Sequence, residues 1–500
     1  MSIDLSLRPE KKDPSVANPL LRTKSIERIL ADSDAPEHRL KRTLTAWDLT
    51  GLGIGAIIGT GIFVLIGTAI VGDAHRPGAG PGIVLSFILS GITCALAALC
   101  YAEFAAMIPV AGSAYTYSYA TLGEFLAWLT GWNLILEYGV ACVAVAIGWS
   151  GYFNNILKLC GIELPYWATH APGSDGGLVN LPAAIIVLLV TGILIVGVKE
   201  SARATCTIVL VKLAVIVFFI TVGMSSVDTA NWSPFMPFGF AGVGAAAAIV
   251  FFAYIGFDAV STTAEEAKNP QRDLPIGIFA SLGICTLLYI SVAAVLTGLV
   301  PYAKIDIHAP VAEGLRVAGF QWGAAVVATG AVAGITSVLV VMMIGQIRVF
   351  FAMSRDGLLG PWLSGVHPTF RTPHHATYLT GVAVAIMAAL IPIGEAADMT
   401  NIGTLFAFVL VCIGIVVLRY TKPNHPRPFR MPLMPVVPIL GVLACLGLMY
   451  FLPWMTWIRF FVWTAIGVAV YLVYGMRHSK LAALPTMKEK SISKQAETVQ

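Results

Sequence analysis

Charge is what this chain has least of. Only 12% of its 500 residues are Asp, Glu, Lys or Arg, against about a quarter in soluble globular proteins. That shortage excludes a water-facing surface over most of the molecule. Clustered metal or redox ligands are also lacking. The eight cysteines (Cys94, Cys100, Cys142, Cys160, Cys206, Cys285, Cys412 and Cys445) lie mostly in apolar stretches without C-x-x-C spacing, and read as small buried side chains. His367, His374 and His375 share a stretch with Pro368 and Pro373 but have no Cys or carboxylate at ligand spacing. A turn is expected there, and neither a metal nor any cofactor. The first 46 residues carry nine Lys or Arg and no apolar core of the kind a cleavable signal peptide has. Residues 1–45 are expected to be a disordered basic tail.

What is abundant is apolar length. Hydrophobic residues make up 57% of the chain, and the mean hydropathy is +0.81. A helix needs about 20 apolar residues to cross about 30 Å of hydrocarbon. The sequence offers such stretches at roughly 46–71, 82–107, 122–156, 180–198, 204–224, 239–264, 275–300, 320–352, 376–392, 398–419, 434–452 and 458–475. The expected fold class is therefore an all-α integral membrane protein with twelve spans in lipid. The third and eighth stretches exceed the bilayer and should tilt and protrude. Residues 354–372, with Leu358, Leu359 and Trp362, predict a surface helix and turn.

Placing the basic residues on alternate loops puts about 25 of the 31 on one side and about five on the other. The positive-inside rule makes that richer side cytoplasmic, with both termini, including the tail at 477–500, inside a plasma or inner membrane. The net charge of +4 follows from this bias, so no nucleic-acid partner is expected.

The first and sixth stretches carry small or polar residues at mid-depth. The first has Gly51, Gly53, Gly55, Gly59 and Gly61 within eleven residues. Each glycine costs about 1 kcal/mol relative to alanine in a helix, at a depth where lipid demands a hydrogen-bonded backbone. A break at Gly59-Thr60-Gly61 is predicted. Residues 62–70 would then form a half-helix whose bare N–H groups suit a carboxylate. Small-residue packing accounts for Gly51, Gly55 and Gly59 at four-residue spacing, but leaves Thr60 and Gly61 over. In the sixth stretch, Asp258 is an ionisable group in the membrane, which usually faces a cavity, a partner or unwound backbone. An opening at about 253–256 would free carbonyls for an ammonium. A plain kink capped by Asp258 is compatible with the same break. One break suits an anion and the other a cation, which together describe a free amino acid.

These residues are where the chain resembles a known family. GIGAIIGTGIFV in the first stretch, YAEFAAMIPVAGSAYTYSY after the second, LILEYGVA in the third and FFAYIGFDAVSTTAEEAKNPQRDLPIGI in the sixth look like the amino acid/polyamine/organocation superfamily. Within it they look most like the cationic amino acid transporter branch and its bacterial relatives, over about 44–477. The resemblance implies a LeuT-type fold: a ten-helix core at 46–430 made of two inverted five-helix repeats, then two additional helices at 431–476. It implies carboxylate binding by backbone near Ile58, Gly59, Thr60 and Gly61. It implies amine binding by the carbonyls of Phe252, Ala253 and Ile255, with Gly256 and Asp258 supporting the break.

Lys212 lies midway along the fifth stretch, where a dehydrated lysine could exchange a proton near neutral pH. In proton-coupled members that the chain resembles, a lysine on this helix stands where sodium-coupled cousins hold a cation between the first and eighth helices. Proton coupling is the expectation. Snorkelling to the surface is the plainer alternative. Thr336 and Ser337 keep a sodium site open, and exchange without a coupling ion is a further alternative. Glu137 should face the central cavity, to orient the site, conduct a proton or meet a cationic side chain. Glu103 and Glu124 flank the loop after the second stretch, where capping or gating competes with binding. Asp48 reads as a carboxylate at a helix N-terminus.

A channel would need a continuous polar lining, and an enzyme a nucleophile with its base or a metal; neither is visible. A carrier of amino acids, monomeric in membrane lipid, fits best. A broad range of amino acids or small neutral ones are the expected cargo, with an exchanger or a carrier of Arg and Lys as alternatives, and a non-transporting receptor or scaffold as the competing class.

Overall fold

A computed structural model describes residues 20, 22–26, 29–30, 42–110, 113–173, 176–197 and 202–481, the side chains of 202–206 excepted. Most of the basic tails, Lys199 and the side chains of Arg203 and Cys206 lie outside that set. Each predicted apolar stretch holds a helix. The first is split into α1 (Ala46–Ile57) and α2 (Gly61–Val71). Next come α3 (Ile83–Met107), a short α4 (Ser113–Thr121), α5 (Glu124–Leu159), α6 (Leu181–Val196) and α7 (Ala202–Met224). The sixth stretch is split into α8 (Gly239–Val250) and a short α9 (Ala259–Thr262). Then follow α10 (Pro270–Leu299), α11 (Pro310–Val317), α12 (Gln321–Arg355), α13 (His374–Leu390), α14 (Ile393–Thr421), α15 (Val436–Tyr450) and α16 (Trp454–Val470).

Among the described residues, eight helices are long and apolar enough to cross a membrane, α1 and α2 form a further candidate bent by 43°, and α6, α13 and α15 are shorter apolar helices. Their boundaries follow local chemistry. Thr45 and Asp48 close a capping box on α1, with Asp48 accepting from the Thr45 amide at 2.9 Å. Asn180 accepts from the Ala183 amide to start α6, and Pro270 opens α10.

The long α5 is the axis of the bundle, packed against α12 and α14, while α10 packs on α1 and α3. Alanine and glycine crowd α8 so closely on α3 that Ser86 and Ser90 donate to the Val243 and Ala247 carbonyls, each at 2.8 Å.

Five features differ from the sequence reading. Helices α4 and α11 and a two-stranded hairpin, β1 (Thr169–His170) with β2 (Val179–Asn180), were not anticipated, because each is too short or too polar to register as an apolar span. Residues 354–372 form no surface helix: beyond the end of α12 there is a single 3-10 turn, Pro361–Ser364, and Pro368 and Pro373 prevent more. The basic tail is docked in part. Ile26 and Ile29 are buried, the Lys24 amide donates to the Tyr119 carbonyl at 3.1 Å, and the Glu124 amide donates to the Arg22 carbonyl at 2.7 Å. An apolar pair three residues apart gives that segment a face to bury, which its charge obscures.

Candidate functional site

The first break falls at Ile58 and Gly59, one residue earlier than predicted. Ile58 is extended (φ −74°, ψ 105°), and no backbone turn bridges Ile58 and Gly59. The amides of Thr60, Gly61 and Ile62 therefore have no helical acceptor, and the first bond into α2 is Phe63 N–H to the Gly59 carbonyl at 3.2 Å. These amides open the positive end of α2, at a buried point. The Thr60 hydroxyl is buried and has no partner among the described residues.

The sixth stretch passes from α8 into a 3-10 turn, Phe251–Tyr254, then into extended Ile255 and Gly256 at φ +118°. Only glycine takes that backbone without strain. A side chain there would also press on Ala56, whose carbonyl carbon and oxygen lie 2.9 Å from the position a Cβ would take. The Phe252 carbonyl accepts from the Ile255 amide at 3.2 Å, and the Ala253 carbonyl from the Tyr289 hydroxyl at 2.9 Å. Among the described residues the Ile255 carbonyl accepts no hydrogen bond. Of the three carbonyls expected to hold an amine, Ile255 is thus the one left open.

The two breaks touch. A Cβ on Gly61 would sit 2.3 Å from the Ala253 Cα, so Gly61 lets the mouth of α2 lie on the unwound backbone of the sixth stretch. Tyr289 of α10 ties them together, its hydroxyl lying 3.1 Å from the Ile57 carbonyl and 2.9 Å from that of Ala253. Sequence reasoning missed Tyr289, whose hydroxyl is one of several along an apolar helix that also carries Ser281, Thr286 and Ser291.

Lys212 is fully buried rather than snorkelling, and its Nζ donates to the Gly55 carbonyl at 2.7 Å and the Ile58 carbonyl at 3.2 Å. Its stem lies against Gly334 of α12, 3.1 Å from the position of a Cβ there. The ammonium thus fills the negative end of α1, between the first and eighth stretches. Thr336 donates to the Val332 carbonyl and accepts from Trp149 Nε1, while Ser337 donates to the Gly334 carbonyl. Both hydroxyls are satisfied without an ion.

Glu137 and Asp258 are each 1% exposed. The Tyr138 hydroxyl donates to Asp258 Oδ2 at 3.3 Å, whereas among the described residues Asp258 Oδ1 and both Glu137 oxygens have no hydrogen-bond partner. The other acids anchor the scaffold. Glu103 accepts from Arg419 at 2.8 and 2.6 Å and from the Met431 amide at 2.8 Å, joining α3 to the end of α14. Glu124 accepts from the hydroxyls of Tyr119, Tyr471 and Ser479 at 3.1, 3.0 and 2.6 Å. None of these partners belongs to either break. Among the described residues no group of three or more His, Cys, Asp or Glu could hold a metal ion.

Known proteins are similar in sequence over most of this chain. A family model described as amino acid permease matches residues 44–476. The chain is 50% identical over 463 residues to a methylthioribose transporter of Bacillus subtilis (strain 168), covering 92% of this chain and 99% of that one. It is 50% identical over 466 residues to the branched-chain amino acid permease BcaP of the same organism, with the same coverage. It is 38% identical over 417 residues to the vacuolar cationic amino acid transporter 4 of Arabidopsis thaliana, covering 81% of this chain and 68% of the relative. These relatives are permeases and transporters rather than enzymes, and the motif resemblance holds. The chain is a multi-pass membrane protein that belongs to the amino acid permease family of the amino acid/polyamine/organocation superfamily.

Proposed function

We propose that this protein is a proton-coupled secondary transporter of amino acids, working by alternating access across a plasma or inner membrane with both termini cytoplasmic. The observation that carries the reading is the contact of two broken helices at a buried point. The bare amides of Thr60, Gly61 and Ile62 receive the carboxylate, and the open carbonyl of Ile255, with Phe252 beside it, receives the amine. In this reading the nine longer candidates and the three shorter apolar helices all span, giving twelve arranged as two inverted five-helix repeats plus α15 and α16. The protein acts as a monomer.

Lys212 is the coupling residue. As an ammonium it holds the Gly55 and Ile58 carbonyls, fixing α1. Deprotonated, it loses most of that grip and frees α1 to move, so proton loss and helix movement are linked. The Lys212 ammonium seated on the Gly55 and Ile58 carbonyls favours this over sodium coupling.

Neutral amino acids are the favoured cargo, in line with the branched-chain permease among the relatives, and cationic ones are the runner-up. The equally similar methylthioribose transporter makes a thioribose sugar a required control. The test is uptake of labelled amino acids into liposomes, with and without an inward proton gradient. Gradient-driven accumulation is expected in the wild type, and Lys212→Met should abolish the gradient dependence while retaining ligand-induced thermal stabilisation. Binding without accumulation would mean a receptor, and undiminished proton-driven uptake by the variant would remove Lys212 from the coupling.

A further inference from the structure

The first turn of α2, Gly61–Leu65, is wider than an α-helix. It is a π turn, in which the Ile66 amide reaches back five residues to the Gly61 carbonyl. Such turns are rare, and recur at functional sites. Helix α5 lies directly on this one. Gly148 faces the mouth of α2, where a Cβ would fall 2.5 Å from Thr60 Cγ2 and 3.1 Å from Val64 Cγ2. Four residues on, along the same face of α5, Tyr152 is fully buried and sets its ring edge-on to Phe63, with centroids 6.0 Å apart. Its hydroxyl donates to the Phe63 carbonyl at 2.7 Å. That bond enters the middle of the π turn, whose other neighbours are the Phe251–Tyr254 turn, α8 and α11. The binding and coupling roles assigned above make no use of Tyr152.

A π turn takes up one residue more than an α turn. If it relaxed to the α form with the rest of α2 fixed, the chain before it would be displaced by one residue, about 100° around the helix axis and about 1.5 Å along it. The amides of Thr60, Gly61 and Ile62 lie at the start of this turn. Such a shift would turn them away from the sixth-stretch break and draw Gly61 off the Ala253 backbone it now touches. We propose that Tyr152 is a positioning residue for the cargo carboxylate: its hydroxyl holds the π turn, and the π turn aims the three amides. The role rests on the carboxylate reading of the first break given above. Tyr152 acts through the Phe63 backbone and not on the cargo, so its effect is selective. Loss of the hydroxyl weakens recognition of the carboxylate and leaves the amine end, at the Ile255 carbonyl, as it was.

Tyr152→Phe keeps the ring and its edge contact and removes only the donor. Calorimetry on the purified protein compares leucine, alanine and arginine with their α-amides, which keep the amine and the side chain but lack the carboxylate. In the wild type each acid should bind more tightly than its amide. In the variant the affinity for the acids should fall about tenfold while that for the amides stays within about twofold, so the preference shrinks. Gly148→Ala, which presses a methyl group on Thr60 from the same helix, should produce the same selective loss. Both variants are checked by thermal unfolding. Hydrogen exchange without ligand should be faster across residues 60–66 in Tyr152→Phe than in the wild type. Equal losses for acids and amides mean a packing role and overturn the proposal, as do an unchanged preference in both folded variants and exchange that stays at the wild-type rate. A wild type that binds none of these acids, or does not distinguish them from their amides, refutes the carboxylate reading instead, and the exchange rates still decide whether Tyr152 holds the turn.

Discussion

The break between α1 and α2 is rich in glycine and uncharged, whereas the break between α8 and α9 has one obligatory glycine followed by Asp258. Both expose the ends of helical hydrogen bonding inside the membrane, but they dispose of those ends differently. At the first break the acceptors are taken by Lys212 and Tyr289, so what remains available is a set of amides. At the sixth, side chains from neighbouring helices take the earlier carbonyls, Ala248 by Asn401 and Ala253 by Tyr289, and the Ile255 carbonyl remains. One break is thus turned into a donor and the other into an acceptor. Polarity at the two breaks comes from which backbone groups are left over, so the binding proposed above needs no salt bridge to the ligand.

The contrast is broken most severely at the contact itself. Gly61→Leu should abolish binding, because even a Cβ at that position falls 2.3 Å from the Ala253 Cα, and overpacking alone costs about 1–3 kcal/mol. Isothermal calorimetry should show no saturable heat with any amino acid, although the variant still folds. Normal saturation would mean that the α2 mouth and the sixth-stretch backbone are not halves of one site.

A milder change sharpens the same comparison. Tyr289→Phe removes one hydroxyl from the two carbonyls it joins, each bond contributing about 0.5–1.5 kcal/mol. Both breaks then hold a loose acceptor, and their distinction as donor and acceptor is weakened. The expected result is a KM raised by up to about tenfold with a smaller loss of maximal rate. An effect confined to thermal stability, with KM unchanged, would make Tyr289 a packing residue alone.

The two breaks were not equally legible. Glycine density predicted the first to within one residue, since the backbone cost of five glycines is local and can be read from sequence alone. Asp258 announced the second, but which carbonyl stays open depends on Tyr289, 36 positions away in the chain, and no local rule reports that. Lys212 was noticed because a lysine inside an apolar run is rare, whereas its acceptors, 154 and 157 residues earlier, belong to tertiary structure. Helices α4 and α11 escaped because each is too short and too polar to stand out as an apolar stretch. The docking of Ile26 was hidden by the charges around it.

The weakest expected effect concerns the hydroxyls of α12 near Lys212. If a fixed ammonium is what makes the first break a donor, the hydroxyls of α12 have no ion to hold. Thr336→Val keeps the volume and loses the bond to Trp149, a cost of about 1 kcal/mol in stability. Uptake should keep its KM within about twofold, and be the same in sodium and choline buffers before and after the substitution. Sodium-stimulated uptake in the wild type that disappears in this variant would show that the site beside Lys212 takes a diffusible ion. The asymmetry between the two breaks would then have to come from solution rather than from the chain.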